Sequence, residues 1–199
     1  MSSRWHFAPV KSSRGRLLAM FRPGHYGVSL VLYAPIGCWL LAIGHPTVAL
    51  AGGAGLLWLT MLPDWDSHIP FITHRGSTHT LLFAALVASA AWAAATATGS
   101  GSRPVGPFIL REFAAGVGAL AVLSHLAADL LNPMGVALFW PLWDRRFTVG
   151  VTRASNRVMN YLLFALGVFT TAVGVLLGTE LFADAAATAL LHAPGWFGV

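Results

Sequence analysis

The chain has 199 residues, of which 56% are hydrophobic and only 10% are charged, and its mean hydropathy is +0.69. A soluble globular domain carries about 25% charged residues, so this composition excludes a water-soluble fold and predicts an integral membrane protein. The single cysteine, Cys38, excludes an internal disulfide and a cysteine-rich zinc site. The net charge of +5 is gathered in two basic segments, which predicts contact with anionic lipid headgroups and no nucleic-acid partner.

The first 24 residues are polar and basic. They lack the apolar core and the small-residue cleavage site of a signal peptide, so we expect them to be retained. We interpret residues 1–24 as a cytoplasmic N-terminal arm and residues 25–199 as a single integral membrane domain.

Five apolar runs follow in chain order, and they predict an all-α polytopic bundle of about five transmembrane helices. The runs cover residues 28–43, 47–62, 78–98, 108–131 and 161–177. Residues 136–143 form an apolar island that is too short to span a bilayer, and its tryptophans predict a position at the membrane interface. Residues 180–191 are predicted to form a surface helix or an incomplete last turn into the bilayer.

The distribution of Lys and Arg predicts the orientation of the bundle. With a cytoplasmic amino terminus and five crossings, ten of the twelve basic residues fall on the cytoplasmic side, and only Arg103 and Arg111 fall on the other side. We expect the protein to lie in the cell (inner or plasma) membrane. The same order of crossings places the candidate metal ligands, described next, at the cytoplasmic ends of the helices.

His125 and Asp129 lie four residues apart in the fourth apolar run, so they project from one face of a helix. Charged groups at membrane depth cost roughly 2.5–3.5 kcal/mol each on insertion scales, which favours a functional role. The pair therefore predicts a platform for a metal ion.

The other candidate ligands lie between the second and third runs. His79 is predicted on the first turn of the third helix, with Ser77 or Thr78 as its cap. His74 precedes it across a glycine. Asp64 and Asp66 flank Trp65, and we expect one of the two carboxylates to bind a metal and the other to bridge or orient.

His25, just before the first run, is the outlying member of a set of seven candidate ligands. Mixed imidazole and carboxylate donors suit zinc, with manganese or iron as alternatives. Seven ligands are more than one tetrahedral ion can bind, so one to three ions are expected. If only one ion is bound, the remaining carboxylates would orient its ligands. The alternative to a metal site is that these residues are solvated loop groups and packed helix histidines. We assign His68, His6, His45 and His192 to this second kind of role.

The motif order is Asp-x-Asp at Asp64, His-Arg-Gly-x-Thr-His at His74, and His-x-x-x-Asp at His125, followed by Asn-Pro-x-Gly at Asn132. This order resembles the YdjM-type membrane-bound metal-dependent hydrolases between about His25 and Leu142. That family is distantly similar to zinc-dependent phospholipases C and single-strand nucleases. The resemblance therefore implies zinc-assisted hydrolysis of a phosphoester.

On this reading a metal-activated water cleaves a phosphoester substrate, lipid phosphoesters included. Asp66 or a metal-bound carboxylate accepts the proton of the water, and Arg75 clamps the phosphate; its alternative role is a topology anchor. A non-enzymatic metal-binding or metal-transport protein is the second hypothesis, and a basic membrane adaptor is the third. The sequence leaves the substrate, the metal and the oligomeric state open.

Overall fold

The structure is a computed structural model that describes residues 20–68 and 76–191. The helices are α1 (Arg22–Ala42), α2 (Pro46–Thr60), α3 (Leu81–Ala97), α4 (Leu110–Leu130) and α5 (Arg157–Leu191). A 3-10 helix covers Pro63–His68, and two short strands, β1 (Pro104–Val105) and β2 (Phe108–Ile109), form a hairpin between α3 and α4. The predicted all-α membrane bundle is confirmed.

Within residues 20–68 and 76–191, four segments are long and apolar enough to cross a membrane: Arg22–Ala42, Pro46–Asp66, Leu110–Leu130 and Arg157–Ala189. The fifth predicted span, α3, is apolar but has only 17 residues. At 1.5 Å per residue it is about 26 Å long, slightly less than a hydrocarbon core of about 30 Å.

Helix α1 begins at Arg22, earlier than the apolar run that predicted it, and so takes His25 into its first turns. A proline lies at the start of this helix, where its fixed φ and missing N–H suit the first turn. At the other end of the chain, α5 is one continuous helix of 35 residues rather than a span followed by a separate segment. Alanine-rich sequence after Glu180 explains the continuation, because alanine has the highest helix propensity.

Helices α1 and α5 approach closely along a line of glycines. A Cβ on Gly27 would collide with the Leu163 backbone, and one on Gly178 would lie 2.6 Å from the Cys38 carbonyl oxygen. Small residues allow such backbone approach in lipid, where hydrophobic association gives no preference for protein over acyl chains. At the start of both helices, the Asn160 side chain accepts a hydrogen bond from the Phe21 N–H at 3.1 Å.

The remaining helices pack around α4. Two clusters of buried apolar side chains join it to α2 and to α3, and they include Leu56 with Ala121 and Val87 with Val122. The apolar island after α4 is not helical: Val136 pairs with Phe147 in an isolated bridge, and the Leu138 carbonyl accepts from the Leu81 N–H at 2.9 Å. Its interfacial depth stays a prediction.

Because successive helices run back and forth, one end of the bundle collects the start of α1, the end of α2, the start of α3 and the end of α4. These are the four places where the candidate ligands lie in the sequence.

Candidate metal centre

Four nitrogen and oxygen atoms from three segments meet at this end of the bundle. His79 Nε2 lies 3.2 Å from His125 Nε2, 3.4 Å from Asp64 Oδ1 and 3.5 Å from Asp129 Oδ2. His125 Nε2 lies 3.5 Å from Asp64 Oδ1 and 3.6 Å from Asp129 Oδ2. The two imidazole nitrogens therefore form an edge shared by two triangles, each completed by a carboxylate oxygen.

These separations fit a bound cation. Zinc at about 2.0–2.1 Å from its ligands in a tetrahedral site holds neighbouring ligand atoms about 3.3 Å apart. The five measured separations span 3.2 to 3.6 Å and all join acceptor atoms of imidazole or carboxylate groups. His79, His125 and Asp129 are each at most 1% exposed, so the centre is enclosed by protein on their side.

His79 is held by polar partners on the side of its ring away from the cluster. Its Nδ1 lies 3.0 Å from Thr78 Oγ1 and 3.5 Å from Asp66 Oδ2, and Thr78 Oγ1 donates to the same Asp66 oxygen at 2.7 Å. Two acceptors at Nδ1 favour the tautomer with its proton there, which leaves the Nε2 lone pair facing the cluster. Asp66 thus orients His79 in this arrangement.

The ligands at the end of α4 are oriented by the helix and by one amide. His125 and Asp129 face the same side of α4, as their four-residue spacing predicted. The Asn132 side chain donates to Asp129 Oδ1 at 3.3 Å, while Asp129 Oδ2 faces the two imidazoles. In the sequence, Asn132 is the first residue of the Asn-Pro-x-Gly motif.

Asp64 marks the open side of the centre, because 24% of its side chain is exposed. Burial lowers the pKa of His79, but the hydrogen bonds to Asp64 and Asp66 outweigh burial and hold its pKa above the ordinary value. The carboxylates therefore give this pocket an affinity for positive charge, whether a proton or a metal cation supplies it.

His25 joins the cluster from α1. Its ring stacks on the His125 ring with centroids 4.0 Å apart and planes 4° apart. His25, Asp64 and His125 each offer one ligand atom within 4.8 Å of the others, and His79, His125 and Asp129 form a second such group. The structure thus brings five of the seven candidates into one cluster, with Asp66 directly behind His79; His74 and Arg75 lie outside the described residues.

Helix α3 begins after His79 rather than at it. Thr80 is the N-cap, and its side chain accepts from the Phe83 N–H at 3.1 Å. The predicted caps, Ser77 and Thr78, precede it. Thr78 is therefore free of the capping role and instead bridges His79 and Asp66.

Three buried hydroxyl groups beneath the cluster were not anticipated from the sequence. Ser29 Oγ lies 2.7 Å from Ser124 Oγ and 3.0 Å from Thr60 Oγ1, and all three residues are fully buried. They join α1, α2 and α4 within four residues, along the chain, of members of the cluster. Spacing carried the signal, because Ser29 and Thr60 lie four residues from His25 and Asp64, and Ser124 precedes His125.

The histidines for which the sequence predicted no metal binding lie away from the cluster or are not described. His45 lies at the opposite end of the bundle, where its Nε2 accepts from the Gly106 N–H at 3.4 Å. His6 and His192 lie outside the described residues, and the His68 side chain is not described.

A polytopic helical membrane protein with a buried cluster of histidines and aspartates at one end of its bundle is the class that these observations define. The chain belongs to the family described as YdjM inner membrane protein, which matches residues 20–194. It is similar to the inner membrane protein YdjM of Escherichia coli (strain K12) and to that of Shigella flexneri, each 33% identical over 142 residues. The alignment covers 71% of this chain and 64% of each relative, so it spans just under two thirds of those proteins. No solved structure matches the chain significantly.

Proposed function

We propose that this chain is a multi-pass inner membrane hydrolase that cleaves phosphoesters, lipid phosphoesters included, with a water molecule activated by a divalent cation. Zinc is the preferred ion, with manganese or iron as alternatives. The observation that carries the proposal is the spacing of 3.2 to 3.6 Å that separates the Nε2 atoms of His79 and His125 from each other and from the Asp64 and Asp129 oxygens.

These four residues would hold the ion, which would polarise a phosphoryl oxygen and lower the pKa of a bound water toward neutrality. Asp64 lies at the open side of the centre and is placed to accept the proton. The water oxygen forms a bond to phosphorus while the bond from phosphorus to the leaving oxygen breaks. The proton passes to the Asp64 carboxylate.

Of the roles that the sequence suggested for Asp66, this proposal keeps the orienting one. Asp66 contacts the Nδ1 side of His79 and is 1% exposed, so it is placed to orient the imidazole rather than to accept a proton from water. Arg75 as a phosphate clamp and His74 as a further ligand remain predictions, because neither lies among the described residues.

The loop after α4 supports an amphiphilic substrate. It presents the partly exposed aromatic side chains of Phe139, Trp140 and Trp143, and the guanidinium of Arg145 lies 5.7 Å from the Trp143 ring centroid. Tryptophan and arginine together favour the headgroup layer of a bilayer. The basic loop and arm also support our proposal that the amino terminus and the metal centre lie on the cytoplasmic side.

A metal carrier is the alternative. A carrier needs ligands along a path across the membrane, whereas both candidate ligand groups among the described residues lie at one end of the bundle. This asymmetry favours the hydrolase.

The proposal is tested by hydrolysis assays on the full-length protein in nanodiscs. The substrates are a chromogenic phosphodiester and phospholipid vesicles, each with added zinc or manganese. We expect metal-dependent turnover that is lost on chelation, and that falls by about 100-fold or more in Asp64→Ala and in His79→Ala.

His45→Ala is the matched control, since it removes an imidazole at the far end of the bundle and is expected to leave turnover unchanged. Turnover that persists after both chelation and Asp64→Ala would contradict the mechanism. A protein that binds metal but hydrolyses none of these substrates would favour the carrier.

A further inference from the structure

The His25 imidazole is buried at the metal centre in an orientation that the four ligand atoms do not explain. The residue is 1% exposed, and its Nδ1 has no hydrogen-bond partner in the described part of the chain. A buried polar atom without a partner in a native fold calls for an explanation such as a bound ion or water.

Parallel stacking prevents His25 and His125 from binding the same ion. A metal bound to an imidazole nitrogen lies close to the plane of that ring, at about 2.0–2.1 Å from the nitrogen for zinc. The two ring planes are only 4° from parallel, with centroids 4.0 Å apart, so their lone pairs do not converge. A cation bound by His125 Nε2 is displaced from the plane of His25 by most of the stacking distance.

The stacking distance has the right size for a pair of ions. Metal ions in two-metal hydrolytic sites are about 3.5–4 Å apart and are commonly bound on either side of one substrate phosphate. The two ring planes are at most about 4.0 Å apart, so ions bound in them at corresponding positions would have this separation. His25, Asp64 and His125 offer ligand atoms within 4.8 Å of one another, so the Asp64 carboxylate reaches both positions.

The charge of the described cluster also calls for more than one divalent ion. Asp64, Asp66 and Asp129 carry three negative charges, and the neutral imidazoles that bind metals carry none. One divalent ion leaves this set at −1, which repels an anionic phosphoester, while two bring it to +1. The set is neutral when two divalent ions and a singly charged phosphodiester are bound together, whereas one ion leaves the site anionic even before the substrate binds.

We propose that the centre holds a second divalent cation, bound by His25 and by Asp64, which would bridge the two ions through one carboxylate oxygen and leave the other oxygen to accept the proton of the water. Water or a phosphoryl oxygen of the substrate completes the coordination of the second cation. This proposal rests on the proposed function, because it shares Asp64 with the first ion, and it assigns to His25 the binding of the ion that neutralises the substrate phosphate.

The experiment measures metal stoichiometry without any activity assay. The full-length protein in nanodiscs is dialysed to equilibrium against zinc, and bound zinc per chain is determined by mass spectrometry. We expect two ions in the unaltered protein and one in His25→Ala, while His45→Ala retains two. Loading with manganese instead gives a spin-coupled electron paramagnetic resonance signal in the unaltered protein and an uncoupled single-ion signal in His25→Ala.

One zinc per chain in the unaltered protein, with an uncoupled manganese signal, would overturn the second site and leave the hydrolase proposal standing. Two ions retained in His25→Ala would also overturn it, since His25 would then hold neither. If His25→Ala does not fold, as judged by circular dichroism, the more conservative His25→Gln replaces it, and the stoichiometry and spin coupling of the unaltered protein decide independently. No bound zinc would contradict this proposal and the proposed function together.

Discussion

The His79 ring has a defined partner on each of its nitrogens. Nε2 faces His125 and the two carboxylates, while Nδ1 contacts Thr78 and Asp66. Carboxylates that receive the second N–H of a metal-binding histidine fix its tautomer and raise its basicity, and their loss typically weakens metal binding about 10- to 100-fold.

Asp66→Asn is therefore expected to weaken zinc binding by about 10- to 100-fold while preserving the number of ions bound at saturation. The amide keeps the size of the side chain but removes the charge that orients His79. Competition with a chromogenic chelator measures the affinity, and mass spectrometry measures the number of ions.

Asp184→Asn makes the same change on an exposed carboxylate of α5 and is expected to leave both quantities unaltered. Loss of one ion at saturating zinc in Asp66→Asn would show that Asp66 is itself a metal ligand. An unchanged affinity would remove it from the centre.

At the scale of the helices, the α1–α5 contact depends on residues without side chains. A Cβ on Gly27 would collide with the Leu163 backbone, which cannot move without displacing α5. Gly37 lies on the same helix, where a Cβ would meet only the Tyr33 ring at an ordinary distance of 3.4 Å.

Gly27→Ala is expected to destabilise the bundle by about 1–3 kcal/mol, the usual cost of overpacking, and to lower its thermal unfolding midpoint in detergent. Gly37→Ala is the control on the same helix and is expected to leave the midpoint unchanged or slightly raised, because alanine favours helix over glycine. Equal midpoints for the two variants would contradict the close packing of α1 on α5.

The apolar runs predicted which segments are helices, but several ends could not be predicted from them. Arg22 and His25 are polar and lie outside any apolar window, yet Pro23 and packing against Asn160 extend α1 to include them. Thr80 and Thr78 are equally good caps by composition, and in the structure Thr80 caps α3 while Thr78 contacts His79 and Asp66. Stacking of His25 on His125 was beyond prediction because it depends on how α1 and α4 pack.

At the scale of the whole molecule, successive helices run in opposite directions, and this brings candidate ligands that are far apart in the sequence to one end of the bundle. The back-and-forth order of the helices was predictable from the apolar runs, and it brings the starts of α1 and α3 and the ends of α2 and α4 together as expected. The contact distances were not predictable, because the same threading would also hold if the ligands pointed apart. The central claim is that His79, His125 and two aspartates bind one cation between them.

Zinc X-ray absorption spectroscopy on the metal-loaded protein tests this claim most directly. We predict nitrogen and oxygen ligands at about 2.0–2.1 Å, with the outer scattering of imidazole rings that weakens in His125→Ala and persists in His45→Ala. A zinc environment of water oxygens alone, without imidazole scattering, would contradict the account.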